Sequence, residues 1–450
     1  MLDPLPIVPF TGPVRGAVTP PGSKSITNRA LLLAALCDGL VTVTNALFSE
    51  DTELMAAALN ALGIAVGSDA GAKTMRVHGA GGRLPSRSAR LSVGNAGTAA
   101  RFLTALCAAA AEGIYTLDGV PQMRQRPMQG LIDALRNLGA DVRCPGAEGF
   151  LPLEIHARGL LGGRVAIDAS ESSQMLSALL MAAPLARAPV AIQVKGRIVS
   201  EPFVRMTGDM LRGFGIGDPS LRGNAAGNFL VSPGKYSRPS GTFEVEADAT
   251  AAGYFAVLPV VVGGTSELEI RGLVTSDQAL QGDFQFIRLL ADHRLLRNVA
   301  WGLAPGPLAA GQSRAGFAAD FNAFSDTFLT LAAIAPLLAG PTRITGIGHT
   351  RRQETDRVAG AARELRRLGQ DVVEEPDALT ISPRPLVPDV DIETYGDHRF
   401  AMSFAILGCH DLRRDGRPWL RIRNPGCCAK TFPDFFAVLD RVRQNSLAPS

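Results

Sequence analysis

The feature that most constrains the fold of this chain is an internal repeat. Six times, a short polar or glycine-bearing cluster leads directly into a run rich in alanine, leucine and other apolar residues. These clusters begin near residues 24, 96, 173, 249, 326 and 397, and are therefore 71 to 77 residues apart. Because helix starts that arose by chance would not keep this spacing, the sequence predicts six copies of one supersecondary unit.

A second helix follows the first with the same period. Four of these second helices end in an apolar residue followed by glycine, a common C-terminal cap: Leu62-Gly63, Leu138-Gly139, Phe214-Gly215 and Leu368-Gly369. Short runs of alternating or β-branched residues predict strands, for example at 41–44, 164–167, 190–194 and 268–270. Each repeat should therefore hold two helices and several strands, with the apolar helices inside and the sheets outside.

Six repeats divide naturally into two groups of three. Proline and glycine cluster at 20–22 and again at 238–241, where we expect the chain to cross between domains through a hinge. The predicted domains are 21–240 and, taken together, 1–20 and 241–450. A hydrophobic content of 46% supplies enough apolar residues for two cores.

Composition excludes several classes of partner. The formal net charge is only +3 and aromatic residues make up 6% of the chain, so we expect neither a nucleic-acid partner nor a membrane surface. The first residues lack the basic and apolar segments of a secretory signal, which favours a cytoplasmic protein. The six cysteines lack C-x-x-C spacing and are predicted to be reduced, mostly packed thiols. The six histidines are dispersed, so no metal is expected, and no nucleotide-binding glycine motif is present.

The predicted helix entrances share a basic character. Backbone N–H groups at a helix N-terminus favour an anion, and added cations strengthen that preference. The basic residues at or near such entrances are Lys24, Arg29, Arg126, Arg357, Arg399 and Lys430. If they face one cleft, they form a site for small polyanions in a protein of nearly neutral charge.

Two carboxylates, Asp326 and Glu354, lie at the same entrances. An aspartate at a helix start is normally a cap. Beside bound anions and cations, however, such a pair can transfer protons, provided that the surroundings separate the pKa values of the two groups.

Seven motifs, in order between about residue 10 and residue 440, resemble those of the 5-enolpyruvylshikimate-3-phosphate synthase family. They are Pro21-Gly22-Ser23-Lys24-Ser25, Gly94-Asn95-Ala96-Gly97-Thr98-Ala99, Arg126-Pro127, Ser172-Ser173-Gln174, Glu354-Thr355-Asp356-Arg357, Asp397-His398-Arg399 and Ala429-Lys430-Thr431-Phe432-Pro433. The resemblance implies an α/β fold of two domains, each an inside-out α/β barrel of three βαβαββ units around buried helices. The repeat suggests the same arrangement independently.

The resemblance also implies a reaction, in which the enolpyruvyl group of phosphoenolpyruvate passes to the 5-hydroxyl of shikimate 3-phosphate with release of phosphate and without a cofactor. The residues it implies to be catalytic are Asp326, which would take the hydroxyl proton, Glu354, which would protonate the methylene carbon, and Lys24. Those implied to bind shikimate 3-phosphate are Lys24, Ser25, Arg29, Ser172, Ser173, Gln174, Ser200, Asp326, His349 and Gln353. Those implied to surround phosphoenolpyruvate are Lys24, Gly97, Arg126, Gln174, Arg357, Arg399 and Lys430.

Four positions depart from the family pattern. Gln353 replaces a common lysine, His349 an asparagine, Phe203 a tyrosine and Phe102 a proline. The missing lysine removes a charge-assisted contact to the substrate phosphate of about 1.5–3 kcal/mol, unless Arg351, Arg352 or His349 compensates. Gly97 leaves room for the donor and for the inhibitor glyphosate, while the bulk of Phe102 lies behind it.

Three alternatives stay open on the sequence. An enolpyruvyl transferase acting on UDP-N-acetylglucosamine shares the fold, but the cysteine nucleophile of its donor loop has no counterpart here. An RNA-end-processing enzyme of related architecture should be more basic. A catalytically silent binding protein would not need Asp326 and Glu354. The resemblance further implies a monomer whose two domains close on the substrates.

Overall fold

The computed structural model describes residues 1–217, 228–275, 279–300, 302–307 and 313–447. The chain divides into two compact units. Gly22–Glu246 form the first, called here the N-terminal unit, while Met1–Pro21 and Ala247–Ser450 together form the second, called here the composite unit. The predicted crossing at 238–241 lies slightly before this boundary, because the strand Thr242–Glu244 still pairs within the N-terminal unit.

The first helix of each repeat is deeply buried, as the sequence predicts. The α-helices of the described residues are α1 (Lys24–Leu36), α2 (Glu50–Ala61), α3 (Gly97–Ala109), α4 (Gln129–Asn137), α5 (Ser173–Ala182), α6 (Glu201–Gly213), α7 (Ala249–Ala256), α8 (Leu258–Val262), α9 (Gln285–Asp292), α10 (Phe328–Ile334), α11 (Arg357–Arg367), α12 (His398–Gly408) and α13 (Phe435–Leu447). Every residue of α3, α7, α10 and α12 is buried. In α1 and α5 the exceptions are Lys24, Ser25 and Gln174, all in the first turn.

One predicted helix start differs in detail. Residues Asn322–Thr327 form a 3₁₀ helix, and α10 begins only at Phe328. Non-helical backbone angles at Phe324 interrupt this segment. Asp326 is therefore presented by a tight turn at the entrance of α10, and not by the α-helix itself.

Short strands connect the helices. They are β1 (Leu5–Pro6), β2 (Ala17–Val18), β3 (Asp38–Thr44), β4 (Val66–Asp69), β5 (Thr74–Ala80), β6 (Ser88–Ser92), β7 (Gly113–Asp118), β8 (Asp141–Arg143), β9 (Leu153–Ala157), β10 (Gly163–Asp168), β11 (Val190–Lys195), β12 (Asn228–Val231), β13 (Thr242–Glu244), β14 (Glu269–Ile270), β15 (Leu296–Val299), β16 (Gly302–Pro305), β17 (Ala318–Asp320), β18 (Thr342–Thr345), β19 (Asp371–Glu375), β20 (Ala378–Ser382), β21 (Val390–Ile392) and β22 (Leu420–Ile422).

The sheets repeat one topology. In the N-terminal unit their strand orders are β13-β3-β5-β4, β6-β7-β9-β8 and β10-β11-β12. In each, the first pair is parallel and the next pairs are antiparallel. The composite unit contains β17-β18-β20-β19 with the same pattern, together with β1-β22-β21, β14-β2 and the hairpin β15-β16.

Strands distant in sequence complete both units. In the N-terminal unit β13 pairs in parallel with β3, so the end of the segment joins its beginning. In the composite unit β1 pairs with β22 and β2 pairs with β14. This pairing explains why the first 21 residues belong with the C-terminal half of the chain.

Two further observations bear on the sequence predictions. All six cysteines are free, and Cys37, Cys107, Cys409 and Cys428 are buried. None of the helices in the described part of the chain is long and apolar enough to cross a bilayer.

Candidate active site

Six charged residues of the composite unit form one connected network, called here the Arg357 cluster. It consists of Asp326, Glu354, Arg357, Asp397, Arg399 and Lys430. Five of the six lie at or beside helix entrances, whereas Lys430, which the sequence also predicts near an entrance, lies at the end of a short helix. Asp326 precedes α10, Arg357 begins α11, Asp397 caps α12, and Lys430 ends the 3₁₀ helix Pro425–Lys430. The repeat thus brings five of the site residues predicted from the sequence into a single cluster.

Arg357 is the centre of this cluster. Its Nε donates to Asp397 Oδ2 at 2.7 Å, its Nη1 to Asp326 Oδ1 at 3.1 Å, and its Nη2 to Glu354 Oε2 at 2.7 Å. The side chain is only 2% exposed. Since a guanidinium presents five N–H groups in a fixed fork, one arginine can hold three carboxylates in a defined arrangement.

Two further cations hold the same carboxylates. Arg399 Nη2 donates to Asp326 Oδ2, and Arg399 Nη1 donates to the hydroxyl of Tyr254 at 3.2 Å. Lys430 Nζ lies 3.5 Å from Glu354 Oε1. Asp326 and Glu354 are therefore each shared by two cations.

Carboxylates outweigh burial in setting the ionisation of the arginines. Burial alone would lower the pKa of Arg357, but Asp397, Glu354 and Asp326 raise it above its ordinary value. The pKa of Arg399 is likewise raised, because Asp326 in particular opposes the effect of burial. Both guanidinium groups are thus permanent positive charges in a largely desolvated setting.

The N-terminal unit holds a second cluster at the start of α3, called here the Gly97 cluster: Gly97, Arg101, Arg126 and Gln174. Arg101 Nη1 donates to Gly97 O at 3.2 Å and to Gln174 Oε1 at 2.9 Å. A Cβ atom at Gly97 would lie 2.7 Å from the guanidinium groups of both Arg101 and Arg126. The absence of a side chain at Gly97 therefore lets two cations approach the helix entrance.

The entrance of α1 carries two other predicted residues. Lys24 Nζ forms an ion pair with Asp51 Oδ2 at 3.1 Å. Arg29 is buried and bonded to neutral groups, among them Thr207 Oγ1 at 2.8 Å and Ser25 O at 3.0 Å. Burial lowers the pKa of Arg29 to about 9. Within the part of the chain that the structure describes, Arg29 thus carries a buried positive charge that no carboxylate pairs with.

The predicted serines also lie at helix entrances. Ser172 caps α5 by accepting a hydrogen bond from Gln174 N at 3.3 Å, and Ser173 is the first residue of that helix. Ser200 precedes α6 in the left-handed conformation, with φ of 50°. These hydroxyls therefore stand beside backbone N–H groups, which is a common arrangement for holding phosphate.

Two of the residues that depart from the family pattern contact the Arg357 cluster or its neighbours. Gln353 accepts a hydrogen bond from Arg357 Nη1, and His349 Nε2 lies 2.9 Å from Ser325 Oγ. Arg351, one of the residues considered as a replacement for the missing lysine, is held by Asp356 at 3.0 Å and Glu374 at 2.9 Å. Its positive charge is therefore already balanced by carboxylates.

Several residues of these clusters were missed by sequence reasoning. Asp51, Arg101 and Tyr254 pair with predicted site residues, but each belongs to a helix whose pattern indicates only core packing. Asp283 is a buried carboxyl that interacts with Asp326 and Arg399. Asp397, in contrast, lies in the Asp397-His398-Arg399 motif, which points to it from the sequence.

Within the described ranges, no group of three histidine, cysteine, aspartate or glutamate side chains could hold a metal ion. What these clusters offer instead is fixed positive charge for anions, and carboxylates close to those charges for proton transfer.

Comparison with known proteins identifies the family. The model of EPSP synthase (3-phosphoshikimate 1-carboxyvinyltransferase) matches residues 9–439. A 3-phosphoshikimate 1-carboxyvinyltransferase from Opitutus terrae is 59% identical over 450 residues, 99% of each chain. Another from Nostoc sp. is 40% identical over 437 residues, covering 97% of this chain and 98% of the relative.

Solved structures agree with the predicted α/β fold class. EPSP synthase from Acinetobacter baumannii matches with a TM-score of 0.75 at 23% identity, over 97% of both chains. The enolpyruvyl transferase NikO from Streptomyces tendae matches with a TM-score of 0.72 at 16% identity, over 98% of this chain and 97% of the other. At such low identities these structures support the fold alone. With the match of the family model and of relatives over nearly the whole sequence, the chain belongs to the EPSP synthase (3-phosphoshikimate 1-carboxyvinyltransferase) family.

Proposed function

We propose that this chain transfers the enolpyruvyl group of phosphoenolpyruvate to the 5-hydroxyl of shikimate 3-phosphate and releases inorganic phosphate. The observation that carries the proposal is the Arg357 cluster, in which Asp326 and Glu354 are each held by two cations. Such a cluster combines charge stabilisation for a phosphorylated donor with two groups that can move protons.

The donor is the ligand best suited to the cations. Phosphoenolpyruvate carries a phosphate and a carboxylate, and both pair well with guanidinium groups. We assign Arg357, Arg399 and Lys430 of the composite unit to the donor, as well as Lys24, Gly97, Arg126 and Gln174 of the N-terminal unit.

Donor binding should also free a carboxylate. In the Arg357 cluster each cation is already paired with a carboxylate, so the donor anion must compete for Arg357 and Arg399. The Asp326 side chain is 23% exposed, compared with 8% for Glu354 and none for Asp397. Asp326 is therefore the partner most readily displaced, and displacement leaves it able to accept a proton from the attacking hydroxyl.

The two carboxylates divide the proton transfers. The 5-hydroxyl oxygen bonds to C2 of the donor, its proton passes to Asp326, and C3 takes a proton from Glu354 with Lys24 contributing. This addition gives a tetrahedral intermediate. Elimination then returns a proton from C3 to Glu354 and breaks the bond between C2 and the phosphate oxygen. The phosphate leaves among the cations and takes up the proton that Asp326 had accepted.

The acceptor needs a second set of groups. We assign Ser172, Ser173 and Ser200 to its phosphate, because all three hydroxyls lie at helix entrances. The other residues assigned to the acceptor are Lys24, Ser25, Arg29, Gln174, Asp326, His349 and Gln353. Equal turnover of shikimate and shikimate 3-phosphate would contradict a role for the serines in phosphate binding.

A phosphate-release assay tests the whole proposal. Release of phosphate from phosphoenolpyruvate should depend on shikimate 3-phosphate, and Glu354→Gln should lower kcat by about 100-fold or more. Glu375→Gln is a matched control, because this exposed glutamate pairs with Arg343 outside the cluster. Release that is independent of shikimate 3-phosphate would refute the assignment.

The two-domain limits and the closure of the domains on the substrates are tested by small-angle scattering with and without the substrates. The monomeric state is tested by size-exclusion chromatography with light scattering, and the cytoplasmic location by cell fractionation. Transfer to a different acceptor is not favoured by the relatives reported above.

A further inference from the structure

Asp283 is a buried carboxyl group that the proposed reaction does not use. It lies in the 3₁₀ helix Gly282–Phe284 just before α9, and it is 4% exposed. Its Oδ2 accepts a hydrogen bond from Thr250 Oγ1 at 2.8 Å. Its Oδ1 is buried and has no hydrogen-bond partner among the described residues. A carboxyl group half satisfied in this way is costly to bury, so its position calls for an explanation.

The segment that carries Asp283 anchors the start of α7. Gln281 Oε1 accepts from Ala249 N at 2.9 Å, and Gln281 Nε2 donates to Ala247 O at 2.7 Å. Together with the bond from Thr250 to Asp283, three hydrogen bonds join this segment to the beginning of the helix. The orientation of α7 therefore depends on residues 281 and 283.

The same face of α7 reaches the candidate active site. Thr250 and Tyr254 are four residues apart and so lie one above the other on the helix. The Tyr254 hydroxyl accepts the hydrogen bond from Arg399 Nη1 at 3.2 Å. A continuous path of contacts thus leads from Asp283 through α7 to Arg399 and on to Asp326.

Charged groups from several elements act on Asp283. Asp326 and Asp248 oppose its ionisation, whereas Arg399 and the Thr250 hydrogen bond favour it. A further charged group, on α9, is Arg288. Its guanidinium lies 6.0 Å from the ring centre of Phe284, the residue that follows Asp283 in the chain. Burial is the largest influence and raises the pKa of Asp283 to about 7. The group therefore changes charge in the neutral range, close to Arg399.

We propose that Asp283 is a positioning residue for Arg399: through Thr250 it fixes the face of α7 that carries Tyr254, and its carboxyl group modulates the positive potential that Arg399 offers to a phosphorylated donor. This inference rests on the proposed function. When Asp283 is neutral, Arg399 attracts the donor fully. When Asp283 is ionised, its negative charge opposes donor binding.

The test compares the wild-type protein with Asp283→Asn, which keeps an acceptor oxygen for Thr250 but cannot ionise. KM and kcat for phosphoenolpyruvate are measured from pH 6 to pH 8.5 at saturating shikimate 3-phosphate. The ratio of wild-type to variant KM should rise by about 3- to 10-fold over this range, because one negative charge is added to the surroundings of Arg399. Titration of the donor itself cancels in the ratio. Asp292→Asn, an exposed aspartate at the end of α9, is the matched control and should follow the wild type.

A KM ratio that stays constant with pH would overturn the proposal, because a purely structural role lowers activity equally at every pH. If Asp283→Asn does not fold, the pH dependence of KM is compared between the wild type and Thr250→Val. It removes the hydrogen bond that favours ionisation, so the rise in KM should move to higher pH, and an unmoved rise would refute the inference. Calorimetric titration of the same proteins with phosphoenolpyruvate needs no turnover. An inactive wild type that still shows the pH-dependent binding would therefore refute the proposed function alone.

Discussion

Gly97→Ala tests the most sharply defined steric feature of the candidate site. A Cβ atom there would lie 2.7 Å from the guanidinium groups of Arg101 and Arg126. Ordinary contact begins at 3.4 Å, so each guanidinium must retreat by about 0.7 Å. Since Arg126 is assigned to the donor, the added methyl group should weaken a charge-assisted hydrogen bond of about 1.5–3 kcal/mol. Its loss raises the KM for phosphoenolpyruvate roughly 10- to 100-fold.

The backbone itself should tolerate the substitution. Gly97 is the first residue of α3 and does not have positive φ, so any change in the free energy of unfolding should come from the displaced guanidinium groups. The assay therefore pairs steady-state kinetics for each substrate with urea unfolding. Gly67→Ala is the matched control, because a Cβ atom at this position of β4 would meet nothing within 4 Å. An unchanged KM for phosphoenolpyruvate in a folded Gly97→Ala protein would refute the reasoning.

Three further predictions concern the composite unit. Arg357→Lys should lower the free energy of unfolding by about 3 kcal/mol, because lysine cannot keep all three carboxylate contacts and Asp397 is fully buried. An unfolding curve in urea equal to that of the wild type would contradict this prediction. Tyr254→Phe removes one hydrogen bond to Arg399 and should raise the KM for phosphoenolpyruvate about 3- to 10-fold, with kcat nearly unchanged, in steady-state kinetics. Burial raises the pKa of Asp283 to about 7, so the folded protein holds a proton that the unfolded chain releases near pH 4. Between pH 4 and pH 7 the melting temperature of the wild type should therefore fall relative to that of Asp283→Asn. Parallel melting curves over this range would contradict the prediction.

The helices and their order were predictable because their signals are local. Capping residues and the run that follows them are neighbours in the chain, as at Asp248 before α7 and Ser172 before α5. The basic residues at the helix entrances were predictable for the same reason, since Arg357 and Arg399 lie within the first two residues of their helices. Periodicity therefore located both the buried helices and the charges that gather at their ends.

Long-range features were not predictable in the same way. The strand β13 joins β3, about 200 residues away in sequence, and no composition change at 246 marks the boundary that results. Asp283 and Tyr254 lie in segments that indicate only packing, and their importance depends on what tertiary structure places beside them. The turn that presents Asp326 likewise depends on the non-helical backbone angles at Phe324, for which the sequence contains no signal.

The pairing of β1 and β2 with late strands has a consequence for biosynthesis. Residues 5–6 and 17–18 are synthesised long before their partners at 420–422 and 269–270. At 5–20 residues per second, the last 200 residues take roughly 10–40 s, during which the segment 22–246 is complete and free to fold. Each early strand therefore stays without its partner until that partner has been made, which is after residue 422 for β1 and after residue 270 for β2. Chaperone contacts with this leading segment should therefore be long-lived, compared with those of the segment that follows it.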